Sequence, residues 1–171
     1  MRWIWIDRFL EFHSGKSARA IKNLSLAEDY FADHFPGYPV FPGCFLLEGL
    51  AQTGGILVGE ANDFREKVVL AKIPKAQFHR EALAGQQLIY DLELLHIRPE
   101  GASVHGRATI DEPSASVSGS LVAEAEIFFA HLDRARSQQI LGEHNFVFSG
   151  ELKHLLGLAR SACKPKDGPA E

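Results

Sequence analysis

The chain reads as an α+β domain, with one apolar helix followed by an antiparallel meander of strands. Two observations carry that expectation. Residues 44–58 form an apolar and small-residue run broken by a single carboxylate, Glu48, which suits a helix buried on most sides. Two later segments alternate apolar and polar residues with the period of a half-buried strand.

Taken in order, residues 3–12 and 17–24 read as two strands joined at His13-Ser14-Gly15-Lys16. A Pro/Gly loop follows. Pro36, Pro39 and Pro42 each fix φ and remove a donor, and Gly37 and Gly43 permit conformations closed to other residues, so the loop is a pre-shaped turn. Pro42 suits the first position of the helix. Residues 68–78 form the first strand after it. In 88–96, Leu88, Tyr90, Leu92 and Leu94 share one face while Asp91 and Glu93 interrupt the other. A shorter strand, 103–111, lies between turns at Pro99-Glu100-Gly101 and Glu112-Pro113-Ser114. In the last strand Val117, Leu121, Ala123, Ala125, Ile127 and Phe129 oppose Ser116, Ser118, Ser120, Glu124 and Glu126.

With 171 residues, 46% of them hydrophobic, the chain has enough material for one sizeable core and too little for two ordinary domains. The expected division is a domain over 1–131 and an extension over 132–171. Residues 132–141 can form a short helix. Leu152, Leu155, Leu156 and Ala159 recur at helical spacing before Lys164-Pro165-Lys166-Asp167-Gly168-Pro169 ends the pattern. A second short amphipathic helix, covering exposed sheet or a subunit interface, is the expectation for this extension, with a flexible tail behind it.

A net charge of −4 argues against a nucleic-acid partner. The apolar run before Asp7 is too short for a signal sequence, and residues 44–58 contain Glu48 and are too short to span a bilayer. Two cysteines, Cys44 and Cys163, make no disulfide framework and fit a reducing compartment. A cytoplasmic protein without a membrane span is expected. His13, His79, His96, His105, His131, His144 and His154 show no pair at metal-ligand spacing, so no metal site is expected.

Chemistry concentrates in residues 34–55. His34 sits in the rigid loop, and Glu48 sits in the apolar helix, where desolvation favours the neutral acid. One base and one proton donor are what acid/base work on a buried substrate needs. The free N–H groups after Pro42 lie at the positive end of the helix dipole, and Gly43, lacking a side chain, lets a carbonyl come close. Cys44 at the helix start leaves a Cys/His covalent hydrolase formally open. Between Phe64 and Arg80, Arg65, Lys67, Lys72, Lys75 and Arg80 face one acid, Glu66, a basic strip suited to an acidic partner or to a solvated strand edge.

The run His34-Phe35-Pro36-Gly37-Tyr38-Pro39-Val40-Phe41-Pro42-Gly43, followed by Leu47-Glu48-Gly49-Leu50-Ala51-Gln52, resembles the signature of the R-3-hydroxyacyl-acyl carrier protein dehydratases of fatty acid synthesis. Asp7-Arg8-Phe9-Leu10-Glu11, Ala20-Ile21-Lys22-Asn23 and Ala76-Gln77-Phe78 resemble flanking segments of that family. The likeness covers roughly residues 3–130. It departs at Asp33, where a glycine is usual, and at Ala82-Leu83-Ala84-Gly85-Gln86, where a Pro-rich stretch is common.

The resemblance implies a hot-dog fold, a bent antiparallel sheet wrapped around a long central helix, in paired subunits or three such pairs. It implies a hydro-lyase with no cofactor and no metal: His34 removes the C2 proton of a 3-hydroxyacyl thioester, the Gly43 N–H holds the thioester carbonyl, and Glu48 protonates the departing hydroxyl, giving a trans-2-enoyl thioester. His34 and Glu48 would come from different subunits. Gln52 would hydrogen-bond near Glu48. Phe31, Tyr38, Phe41 and Phe45 are candidates for the substrate tunnel or, equally, for ordinary core. Acyl carrier protein is the implied partner, with Lys72, Lys75 and Arg80 as its docking candidates. Related dehydratase/isomerases share Pro-Gly-Cys here but use aspartate where this chain has Glu48. Alternatives are therefore a dehydratase/isomerase, a hot-dog acyl thioesterase and a catalytically silent acyl-binding subunit.

Overall fold

The structure, a computed structural model, describes residues 3–111, 119–132, 154, 155 and 157. Strands β1 (Arg8–His13) and β2 (Ser17–Asn23) precede a one-turn helix α1 (Tyr30–Asp33) and the long helix α2 (Gly43–Ala61). Strands β3 (Lys67–Phe78), β4 (Gln87–Arg98), β5 (Gly101–Asp111) and β6 (Ser120–Leu132) follow. All pair antiparallel in one sheet of order β1-β2-β4-β5-β6-β3.

The architecture is α+β and hot-dog-like, but it corrects one expectation. A bent sheet wrapped around the helix is not what the chain adopts: the six-stranded sheet is open, uncurled, and ends in two free edges, β1 and β3. Closure would require those edges to pair. β1 has six residues and a register shift between Phe9 and Glu11, and β3 carries Pro74 and two register shifts, features that deny a strand edge its regular row of hydrogen bonds. Of the expected C-terminal helix, His154, Leu155 and Gly157 are described. They have helical backbone, and Leu155 is partly buried against the core. The remainder of that segment, Val117 and the turn at Glu112-Pro113-Ser114 lie outside the described residues.

Helix α2 packs on one face of the sheet. In one cross-strand row Ala20 and Ala108 flank Tyr90, with Ala123 beyond Ala108, and the Tyr90 ring rises beside these small residues to meet α2. The helix accommodates it with Gly49, where a Cβ would lie 2.5 Å from the Tyr90 hydroxyl. Leu50, Leu57, Leu88 and Ile110 are buried between the layers, each worth about 1.5–3 kcal/mol relative to exposure. The opposite face is solvated. There Glu11, Arg19, Asp91, Arg107 and Glu124 stand in register across five strands with alternating charge, and Arg19 Nε lies 3.2 Å from Asp91.

Two differences from the sequence reading have local causes. Residues 3–6 do not continue β1 towards the N-terminus, because the Trp5 N–H donates to Gln52 of α2 rather than to a strand. In β6 a register shift opposite Ala108 and Thr109 breaks the alternation, so Val122 is buried while Leu121 is only half-buried. Among the described residues no helix is long and apolar enough to cross a membrane.

Candidate active site

His34 closes α1, its N–H donating to the Tyr30 carbonyl at 3.0 Å. The next four residues turn back tightly. Phe35 and Tyr38 exchange backbone hydrogen bonds of 3.0 and 2.9 Å, with Pro36 and Gly37 between them, and Gly37 has φ 79°, as the third position of a type II turn requires. The peptide bond between His34 and Phe35 is cis. Val40 then returns beside His34, its N–H donating to the His34 carbonyl at 2.9 Å. Its own carbonyl oxygen lies 2.9 Å from His34 Nδ1. A carbonyl can only accept, so Nδ1 carries the hydrogen and the lone pair of the neutral ring is on Nε2.

Helix α2 starts at Gly43, with Pro42 as its N-cap at ψ 131° rather than as its first helical residue. The Pro42 carbonyl accepts from Phe45 and Leu46, at 3.0 and 3.1 Å. As the first helical residue, Gly43 has no acceptor for its N–H within the helix. A cavity of about 310 Å³ brings together His34, Phe41, Gly43, Phe78 and Arg80.

Glu48 lies one turn further along α2, half-buried and outside that cavity. Its Oε1 accepts from Gln52 Nε2 at 2.9 Å. The Gln52 amide is fully engaged: Oε1 accepts from the Trp5 N–H at 2.9 Å, and Nε2 also donates to the Trp3 carbonyl at 3.1 Å. The N-terminal residues thus hold Gln52, and Gln52 holds Glu48.

Within the single chain the structure brings His34 and Gly43 together and leaves Glu48 and Gln52 as a second, separate group. Among the aromatic candidates, Phe41 lines the His34 cavity. Phe31 and Phe41 are buried in the core, and Phe45 stacks on Trp5 at 4.0 Å between ring centroids. Tyr38 is exposed and its hydroxyl donates to Glu81 at 2.7 Å, which raises its pKa. Lys72 and Lys75 are exposed on the edge strand β3, and Arg80 just beyond it reaches Ser120 Oγ at 2.7 Å. Sequence reasoning missed Val40, whose contribution is a backbone atom, and the pair Trp3 and Trp5, whose contribution is likewise through the main chain. It also gave Phe78 no role, although that residue sits in a family-like segment.

The site thus lies around the start of a long helix packed on an open antiparallel sheet, with His34 beside Gly43 and Glu48 further along the helix. Residues 3–126 match the family model of the FabA-like domain. A curated relative from a Nitratiruptor species, 3-hydroxyacyl-[acyl-carrier-protein] dehydratase FabZ, is 38% identical over 132 residues, covering 73% of this chain and 84% of its own. The protein of the same name from Geobacillus thermodenitrificans is 37% identical over 133 residues, covering 77% and 87%. The chain belongs to the FabA-like family of dehydratase domains. Solved structures of similar fold include the dehydratase heterocomplex ApeI:P from Xenorhabdus doucetiae, with TM-score 0.53, 15% identity and coverage of 71% of this chain and 96% of that one. The protein smu.793 from Streptococcus mutans, bound to acetyl CoA, superposes with TM-score 0.58 at 13% identity, covering 74% and 88%.

Proposed function

We propose that the protein is a hydro-lyase that dehydrates 3-hydroxyacyl thioesters on acyl carrier protein to trans-2-enoyl thioesters. Curated relatives that bear this activity in their names support the reaction. The roles of individual residues come from the resemblance of residues 34–52 to the family signature, and the geometry around His34 supports its part. The observation that carries the reading is the His34 to Val40 hydrogen bond, which occupies Nδ1 and leaves Nε2 as the ring position able to act as a base.

In the proposed reaction His34 Nε2 takes the proton from C2, and the electron pair moves toward the thioester carbonyl. The Gly43 N–H, at the positive end of α2, stabilises the charge that grows on that oxygen. The enolate-like species then forms the C2–C3 double bond as the C3–O bond breaks, and the hydroxyl leaves as water with the proton from Glu48. Gln52 fixes the Glu48 carboxyl through Oε1, so Oε2 is the oxygen that carries the proton.

Because His34 and Glu48 form two separate groups within one chain, the reading includes a second copy whose Glu48 completes the His34 site. Leu70 and Phe78, exposed on edge strand β3, supply apolar surface that a second copy would cover. Phe35 and Tyr38, both exposed, extend the apolar surface around His34. We assign the activity to residues 1–131, with the extension over 132–171 outside the chemistry.

Absorbance of the conjugated enoyl thioester tests the reading. It should rise with a 3-hydroxyacyl-carrier substrate and stay flat for His34→Ala and Glu48→Gln. Release of free thiol without the enoyl signal would mean hydrolysis, and neither signal would mean an acyl-binding protein.

A further inference from the structure

The missing side chain at Gly43 has an occupant that belongs to the protein. A Cβ built there would lie 3.1 Å from Cε1 and 3.3 Å from Cζ of Phe78, so the ring of Phe78 fills the space a side chain at residue 43 would take. Phe78 is the last residue of β3, paired with Ala123, and the following His79 N–H donates to the Val122 carbonyl at 2.7 Å. The ring is therefore carried by a tethered strand end. It shares its cross-strand row with Ala123, Ala108 and Tyr90, all of them at 0% exposure, yet Phe78 itself is 52% exposed. The open part of the ring borders the cavity that also contains His34.

We propose that Phe78 is a positioning residue for the thioester, its ring forming the wall that holds the substrate carbonyl at the Gly43 amide beside His34. The inference rests on the dehydratase reading above. With the Cβ position occupied, a carbonyl reaches Gly43 along its N–H direction and not across the vacant side of the residue. The aromatic wall also keeps water from one flank of that N–H, and a hydrogen bond to an oxygen gaining charge is stronger where water is excluded. Holding the thioester plane against a fixed surface limits the orientations in which C2 meets His34.

Steady-state kinetics with a 3-hydroxyacyl-carrier substrate test this, across a pH series, for wild type, Phe78→Ala, Phe78→Leu, Gly43→Ala and the double variant Gly43→Ala/Phe78→Ala. Phe78→Ala should lower kcat about ten-fold or more, with a smaller change in KM and both limbs of the pH profile in place. Phe78→Leu, which keeps an apolar wall, should retain most of the activity. Gly43→Ala pushes a methyl into the ring, so removing the ring should relieve it: the double variant should lose less than the product of the two single losses. A kcat for Phe78→Ala within about two-fold of wild type, or losses that simply multiply, would overturn the assignment. Wild-type protein that makes no enoyl product would instead overturn the dehydratase reading itself.

Discussion

Nδ1 of His34 and the carbonyl oxygen of Val40 lie 2.9 Å apart, and this one bond decides which nitrogen of the ring is basic. Substituting His34 by Ala removes the base and should cut kcat by about 10²–10⁴-fold, the usual worth of a positioned general base. His34 is only half-buried, so the denaturation midpoint should barely move. Enoyl absorbance and urea unfolding on the same preparation check both halves.

Gln52 separates catalysis from stability differently. Glu48→Gln removes the proton donor and should abolish turnover with little effect on unfolding. Gln52→Leu deprives the Trp5 N–H of its buried acceptor, which costs about 1–3 kcal/mol, so this variant should lose both activity and urea resistance.

Tyr90 offers a test of the interface between helix and sheet. Burial, and then the nearby charges of Asp7 and Glu28, push its pKa far above the ordinary value, and burial with the Glu28 hydrogen bond does the same for Tyr30. Folded-state values that are raised contribute stability that is complete below the unfolded phenol pKa of about 10 and is lost as pH rises above it. Unfolding midpoints should therefore fall above about pH 10. The Tyr90 hydroxyl has no hydrogen-bond partner among the described residues, so Tyr90→Phe should be neutral or stabilising at pH 7 and should flatten the alkaline decline.

Much of this was legible in the chain. The alternation of Leu88, Tyr90 and Leu92 gave the buried face of β4, and the apolar run around Glu48 gave α2, because burial on a periodic face leaves a mark in residue type. The type II turn at Pro36-Gly37 was likewise written in residues that fix φ. What escaped depends on main-chain atoms or on distant partners. Val40 acts through its carbonyl, Trp3 and Trp5 through their backbone, and Phe78 through a contact with Gly43 from thirty-five positions away. The bulge that turns Val122 inward and the open course of the sheet follow from pairing between strands, which no single segment encodes.

Carrier docking can be separated from chemistry by charge. Lys72 and Lys75 are exposed outside the His34 cavity, and reversing both to Glu should raise KM for carrier-bound substrate about ten-fold at low salt, with the gap narrowing as salt rises. Turnover of a small thioester without carrier protein should be unaffected. Equal effects on both substrates would point away from docking.

The central claim is that His34 and Glu48 from two copies act on one thioester. Co-expression of His34→Ala with Glu48→Gln tests it most directly, since in a two-fold pair each mixed dimer would contain one site with both groups intact. Two variants that are inactive alone should together recover about a quarter of wild-type activity when subunits assort at random. A co-expressed mixture as inactive as either parent, with mixed dimers shown to be present, would contradict the account.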